Sequence, residues 1–164
     1  MMQAVLLLCL VVSFLSAPLS TASERPIVPG YSTILENGVA HAPSEAPEGV
    51  KKAVWAANDI AGMPYKYGGG HGEFTDTGYD CSGAVSYVLG SLNLIERPLD
   101  SKDYVNWGNP GPGKWMTVYA RAGHVFLVIG GLRFDTTDHL NIGPGWRENE
   151  RPPEGFVARH PHGY

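Results

Sequence analysis

The sequence predicts an α+β domain whose helices pack on an antiparallel sheet. Apolar residues recur at helical spacing in the first half of the chain, while the second half carries short apolar runs separated by glycine-rich turns. Helices followed by strands is the order expected when helices lie against an antiparallel sheet. The 164 residues show no internal repeat and suffice for one domain with a modest core.

Residues 1–22 read as a secretion signal. Ala4 to Leu15 are almost wholly apolar and run into small residues ending at Ser20, Thr21 and Ala22, where cleavage is expected. The run falls short of the roughly 20 residues that span a bilayer, so no stable membrane insertion is expected after removal of the signal. Residues 23–46 mix Pro, Gly, Ser and Glu without apolar periodicity and read as an extended leader. The domain proper is then 47–164.

Within it, Pro47 opens a helix whose inner face is Val50, Ala53, Val54, Ala57 and Ile60 or Ala61, stopped by Gly62 and Pro64. A glycine-rich loop follows to Tyr79. Asp80 is a good N-cap for a second helix that buries Val85, Val88, Leu89 and Leu92. Ser101 is expected to cap a short helix reaching about Trp107. After the glycine–proline loop at 108–113, strands are expected at 115–119, 125–129 and 132–136. The middle one is continuously apolar, fitting a central strand, and Gly130-Gly131 joins it to the next as a hairpin. Residues 143–153 read as a loop and 156–160 as a closing strand.

Composition narrows the partners. The net charge is −4, and Lys51-Lys52 is the only basic pair, which argues against nucleic acid and anionic membrane surfaces. The Gly68–Gly70 loop has no Lys-Ser/Thr pair after it and no strand before it, so it does not read as a phosphate cradle. His71, Glu73 and Asp76 match no metal-ligand spacing, and no metal or organic cofactor is expected.

The chemistry centres on Cys81. Cys9 falls inside the expected signal, so the exported chain would keep a single cysteine, which points to a free thiol or an intermolecular bond. At a helix start, unpaired N–H groups and the helix dipole favour thiolate, the nucleophilic form; the bland alternative is a small buried side chain. A nucleophilic cysteine needs a base and a group to orient that base. His124, just before the most apolar strand, is the best-placed base. His71 lies in a loop read as mobile, and His139, His160 and His162 fall near loops or the terminus.

Pro64-Tyr65-Lys66-Tyr67-Gly68-Gly69, Asp80-Cys81-Ser82-Gly83-Ala84-Val85 and Gly123-His124-Val125, in that order, resemble the NlpC-type family of papain-like cell-wall cysteine peptidases. The similarity extends over most of residues 47–160. The resemblance implies a papain-like fold, with the cysteine at a helix start packed against the sheet bearing the histidine. It implies hydrolysis of amide bonds in peptidoglycan stem peptides, often between D-glutamate and a diamino acid, by a secreted or wall-associated enzyme. Cys81 would be the nucleophile, His124 the base, and Tyr65 a donor at the oxyanion site. The family places a polar residue twelve positions after the base, which is Thr136 here. Its neighbour Asp135 is the better chemical choice, because a carboxylate fixes the imidazole tautomer. A one-residue slip at the Gly130-Gly131 turn exchanges which of the two faces the site, and the reading leans to Asp135. The rival functions are a papain-like thiol amidase or transferase of other specificity, and a non-catalytic wall-binding module.

Overall fold

Two helices carry the apolar faces laid out in the sequence. In a computed structural model that describes residues 25–137, 143–149 and 151–164, α1 (Glu48–Ile60) buries Val50, Ala53, Val54, Ala57 and Ile60. The expected signal segment 1–22 lies outside the described residues. The second helix, α2 (Cys81–Ser91), begins at Asp80, whose carboxylate accepts the Gly83 N–H at 2.9 Å. It is buried on nearly every side because it lies between α1 and the main sheet. The short α3 (Ser101–Tyr104) stops before the expected Trp107. Its N-cap residue is Asp100 rather than Ser101, and the Asp100 N–H donates to Asp103 Oδ2 at 3.3 Å. The Ser101 hydroxyl instead accepts the Gly123 N–H at 3.1 Å, tying α3 to the turn before the central strand.

The segment read as an extended leader is built into the fold from Arg25 onward. It contains β1 (Ile27–Val28), β2 (Ile34–Glu36) and β3 (Val39–Pro43), in a small sheet ordered β1-β3-β2. Ala40 and Ala42 are fully buried in the same core as α1. Asn58 on α1 fastens this sheet: its Oδ1 accepts the Ala40 N–H at 3.0 Å and its Nδ2 donates to the Ala40 carbonyl at 2.8 Å. Strands this short, buried through alanine, leave no apolar alternation to read.

The main sheet has six antiparallel strands in the order β4-β9-β5-β6-β7-β8. They are β4 (Asn109–Pro110), β5 (Met116–Arg121), β6 (His124–Ile129), β7 (Leu132–Asp135), β8 (Gly145–Arg147) and β9 (Val157–His160). The stretch expected to be a loop at 143–153 therefore contributes an edge strand. Trp146 anchors it, with its ring 5.0 Å from Phe134 and its Nε1 donating to Asn58 Oδ1 at 2.8 Å. Val125, Leu127 and Ile129 of β6 join α1 and α2 in the core, so the helices cover one face of the sheet. The fold is α+β. Among the described residues no helix is long and apolar enough to cross a membrane.

Candidate active site

The β6–β7 hairpin decides which side chains meet. Gly130 and Gly131 both have positive φ, +57° and +85°, the requirement of a two-residue turn that matches strand twist. The turn pairs Ile129 with Leu132, Val128 with Arg133 and Leu127 with Phe134. Cross-strand partners share a face and side chains alternate along a strand. His124, Phe126 and Val128 therefore share a face with Arg133 and Asp135, whereas Thr136 lies on the core face with Val125 and Leu127.

On that shared face His124 Nε2 lies 3.0 Å from Asp135 Oδ1. The Asp135 side chain is completely buried, and its carboxylate is fully engaged. Oδ1 also accepts the Thr137 N–H at 3.0 Å, while Oδ2 accepts from Arg151 Nη1 at 2.9 Å and Arg133 Nη1 at 3.2 Å. Burial alone would push this carboxyl up. The His124 hydrogen bond and charge, the Thr137 N–H and the Arg151 guanidinium more than offset it and hold it below the ordinary carboxylate value. Thr137 Oγ1 (3.1 Å) and Arg151 Nη1 (3.3 Å) also reach His124 Nε2. Every hydrogen bond of His124 among the described residues is thus at Nε2.

Cys81 is the half-buried first residue of α2, the helix that packs on β6. The backbone N–H of Val125, one residue beyond His124, is among the groups that favour the Cys81 thiolate. Among the described residues no hydrogen bond joins Cys81 to His124, whose ring packs with Phe126 and Phe156 on the sheet face away from α2. The expectation that the helix start favours thiolate is reversed. Burial pushes the Cys81 thiol above its ordinary value, and the charges of Asp80 and Asp135 add to the rise, against the opposing N–H groups of Val125 and Ser82. The thiol form is thereby favoured over the thiolate.

Cys81 opens into a cleft of about 420 Å³ whose walls include Tyr65, His71, Asp80, Asp100 and Gly123. Tyr65 is paired by a single bridge to Tyr79 at the end of the glycine-rich loop, and it is 43% exposed. Burial, and then the charges of Cys81, Asp80 and Tyr67, push its phenol up, so it stays a hydrogen-bond donor. The loop packs tightly on the start of α2: a Cβ at Gly83 would stand 1.9 Å from the Gly69 carbonyl oxygen, which only glycine avoids.

Sequence reasoning set His71 aside as a mobile loop residue, and the structure places it at the cleft. Its Nε2 lies 3.0 Å from Asp80 Oδ1 and 2.9 Å from Ser82 Oγ, and Nδ1 is 3.4 Å from Asp100 Oδ1. The available signal was Asp80 itself, since a cap uses one carboxylate oxygen and the other binds the Gly68 N–H at 3.1 Å, folding the loop back. Arg133 and Arg151 were also missed. The spacing of Arg133 and Asp135, two apart on one strand and so on one face, pointed to the first; nothing local points to the second.

No family model and no curated protein matches this chain. Among solved structures, the P60 domain of an M. avium subspecies paratuberculosis antigen superposes with a TM-score of 0.51 at 20% identity, covering 68% of this chain and 94% of that one. The fold is P60-like. The likeness is one of architecture: helices packed against an antiparallel sheet, as in the P60 domain.

Proposed function

We propose that the chain is an exported cysteine peptidase that hydrolyses amide bonds in the peptide stems of peptidoglycan, at the bond between D-glutamate and a diamino acid. The observation that carries the reading is a helix that begins at a cysteine and packs on the strand that begins at a carboxylate-paired histidine, in a P60-like fold. The chemistry needs neither metal nor organic cofactor.

The Cys81 sulfur attacks the amide carbonyl while its proton passes to His124 Nδ1, the ring nitrogen that Asp135 leaves open. The imidazolium then gives that proton to the departing amine as the C–N bond breaks, leaving a thioacyl-enzyme. Water, deprotonated by His124, attacks the thioester and releases the acid and the thiol. Asp135 holds Nε2–H and stabilises the transient imidazolium. The Cys81 N–H and the Tyr65 hydroxyl serve the oxyanion, each donor contributing on the order of 3 kcal/mol.

Purified muropeptides incubated with wild type and with Cys81→Ala, products read by mass spectrometry, test the reading. Cleavage by wild type alone is the expected result. Equal behaviour of the two proteins overturns it. Rapid thiol alkylation without turnover points to an amidase or transferase of other specificity, and slow labelling without turnover to a non-catalytic module.

A further inference from the structure

Arg151 lies in the segment between β8 and β9, far in sequence from Cys81 and His124, yet it touches both members of the His124–Asp135 pair. Its Nη1 is 2.9 Å from Asp135 Oδ2 and 3.3 Å from His124 Nε2. The guanidinium is held over two aromatic rings, 5.6 Å from the Phe126 centroid and 5.4 Å from that of Phe156. Phe156 in turn stands edge-on to the His124 ring at 6.0 Å and carries Arg121, the cross-strand partner of His124, at 4.6 Å. The arginine is therefore lodged, not draped.

Its neighbours make conflicting demands at Nε2. A guanidinium only donates, so a bond from Arg151 to Nε2 requires the lone pair there and forces the ring proton onto Nδ1. That tautomer has no lone pair at Nδ1 to receive the thiol proton. A carboxylate only accepts, and a bond to Asp135 Oδ1 requires the proton on Nε2 and leaves Nδ1 open. The shorter contact of Arg151 is to the carboxylate, and a charge-assisted pair is the stronger bond. With Oδ2 taken by Arg151 and Arg133, Oδ1 is turned to the imidazole and to the Thr137 N–H.

We propose that Arg151 is a positioning residue: by holding Asp135 Oδ2 it aims Oδ1 at His124 and fixes the Nε2–H tautomer, which leaves Nδ1 to take the Cys81 proton. The inference rests on the catalytic reading of Cys81 and His124, and its test does not need peptidoglycan. The Arg151 side chain is 21% exposed.

The variants are Arg151→Met, which keeps length and loses charge, and Arg151→Lys, which keeps charge; Arg151→Gln replaces the methionine variant if that one melts early. Long-range ¹H–¹⁵N NMR of the His124 ring reads the tautomer, and alkylation of Cys81 by iodoacetamide at neutral pH reads the coupling. Expected are one Nε2–H tautomer in wild type and Arg151→Lys, a mixture in Arg151→Met, and alkylation about tenfold slower in Arg151→Met alone, the scale of one charge-assisted hydrogen bond. A single tautomer and wild-type alkylation in Arg151→Met overturn the proposal, as do equal losses in the lysine and methionine variants. If the contrast is present but wild type leaves muropeptides uncut, the positioning role stands and the peptidase reading falls.

Discussion

His124 Nε2 and Asp135 Oδ1 meet at 3.0 Å although eleven positions separate them in the chain. The meeting follows from the two-residue turn at Gly130-Gly131. That turn pairs residues whose numbers differ by an odd count, so an even offset of twelve from His124 lands on the opposite face of the sheet. Thr136 is buried there with the core, and Asp135 receives the imidazole.

Asp135→Asn and Thr136→Val separate the two positions. Asn can still reach Nε2, but its amide also donates and tolerates the wrong tautomer. We expect Asp135→Asn to lower muropeptide turnover by about 10²-fold or more, with little change in KM. Thr136→Val exchanges a hydroxyl for a methyl on the far face and should retain turnover within about threefold. Steady-state kinetics on a single purified muropeptide decide it; the reverse ranking would transfer the orienting role to Thr136.

The same carboxylate has a signature in stability. Its folded-state pKa is held below the unfolded value, so in the window between the two the unfolded chain binds more protons and stability rises with pH. The contribution is complete above the ordinary aspartate value, near 3.9, and is lost as pH falls through the folded value. Thermal melts from pH 7 downward should therefore show a steeper loss below about pH 4 for wild type than for Asp135→Asn. Asp76, which the Lys66 hydrogen bond and the Gly70 and Thr77 N–H groups also hold low, contributes equally to both curves. Parallel curves would mean that Asp135 is not a linked group.

What could be read in advance followed local physics. The helical period of Val50, Val54 and Ala57, the cap at Asp80 and the apolar run of β6 are each decided within a few residues, and each is where it was expected. The structure also sets His124 on Asp135 and Tyr65 in the wall of the Cys81 cleft, while no hydrogen bond among the described residues joins Cys81 to His124. What stayed hidden depends on packing between distant segments. Ala40 and Ala42 are core only because α1 covers them, and β8 is a strand only because Trp146 lies on Phe134. The Cys81 thiol was misjudged because a helix start is visible in sequence, whereas the burial that outweighs it is not.

Asn58 is the joint between the small sheet, α1 and the edge strand β8. Its side chain makes three hydrogen bonds, two to the Ala40 backbone and one to Trp146 Nε1. At about 1 kcal/mol each, Asn58→Ala should cost roughly 2–3 kcal/mol in urea unfolding, with the slope of the transition unchanged. A cost under about 0.5 kcal/mol, the range of an ordinary surface change, would mean that the small sheet is not fastened through Asn58.

Tyr65 offers the sharpest kinetic split. It is 43% exposed, so removing its hydroxyl takes nothing from the core. Its phenol is held in the donor form by partial burial and the nearby Cys81 and Asp80 charges. A donor that acts on the developing oxyanion contributes in the transition state and little to substrate binding. Tyr65→Phe should therefore lower kcat by about 10²-fold, on the order of 3 kcal/mol, with KM within about twofold and the melting curve superimposable on wild type. Tyr67→Phe is the control, because Tyr67 shares the cleft wall but is 90% exposed. A rise in KM at constant kcat would assign the Tyr65 hydroxyl to substrate binding. An unchanged kcat and KM would leave the backbone N–H of Cys81 as the oxyanion donor.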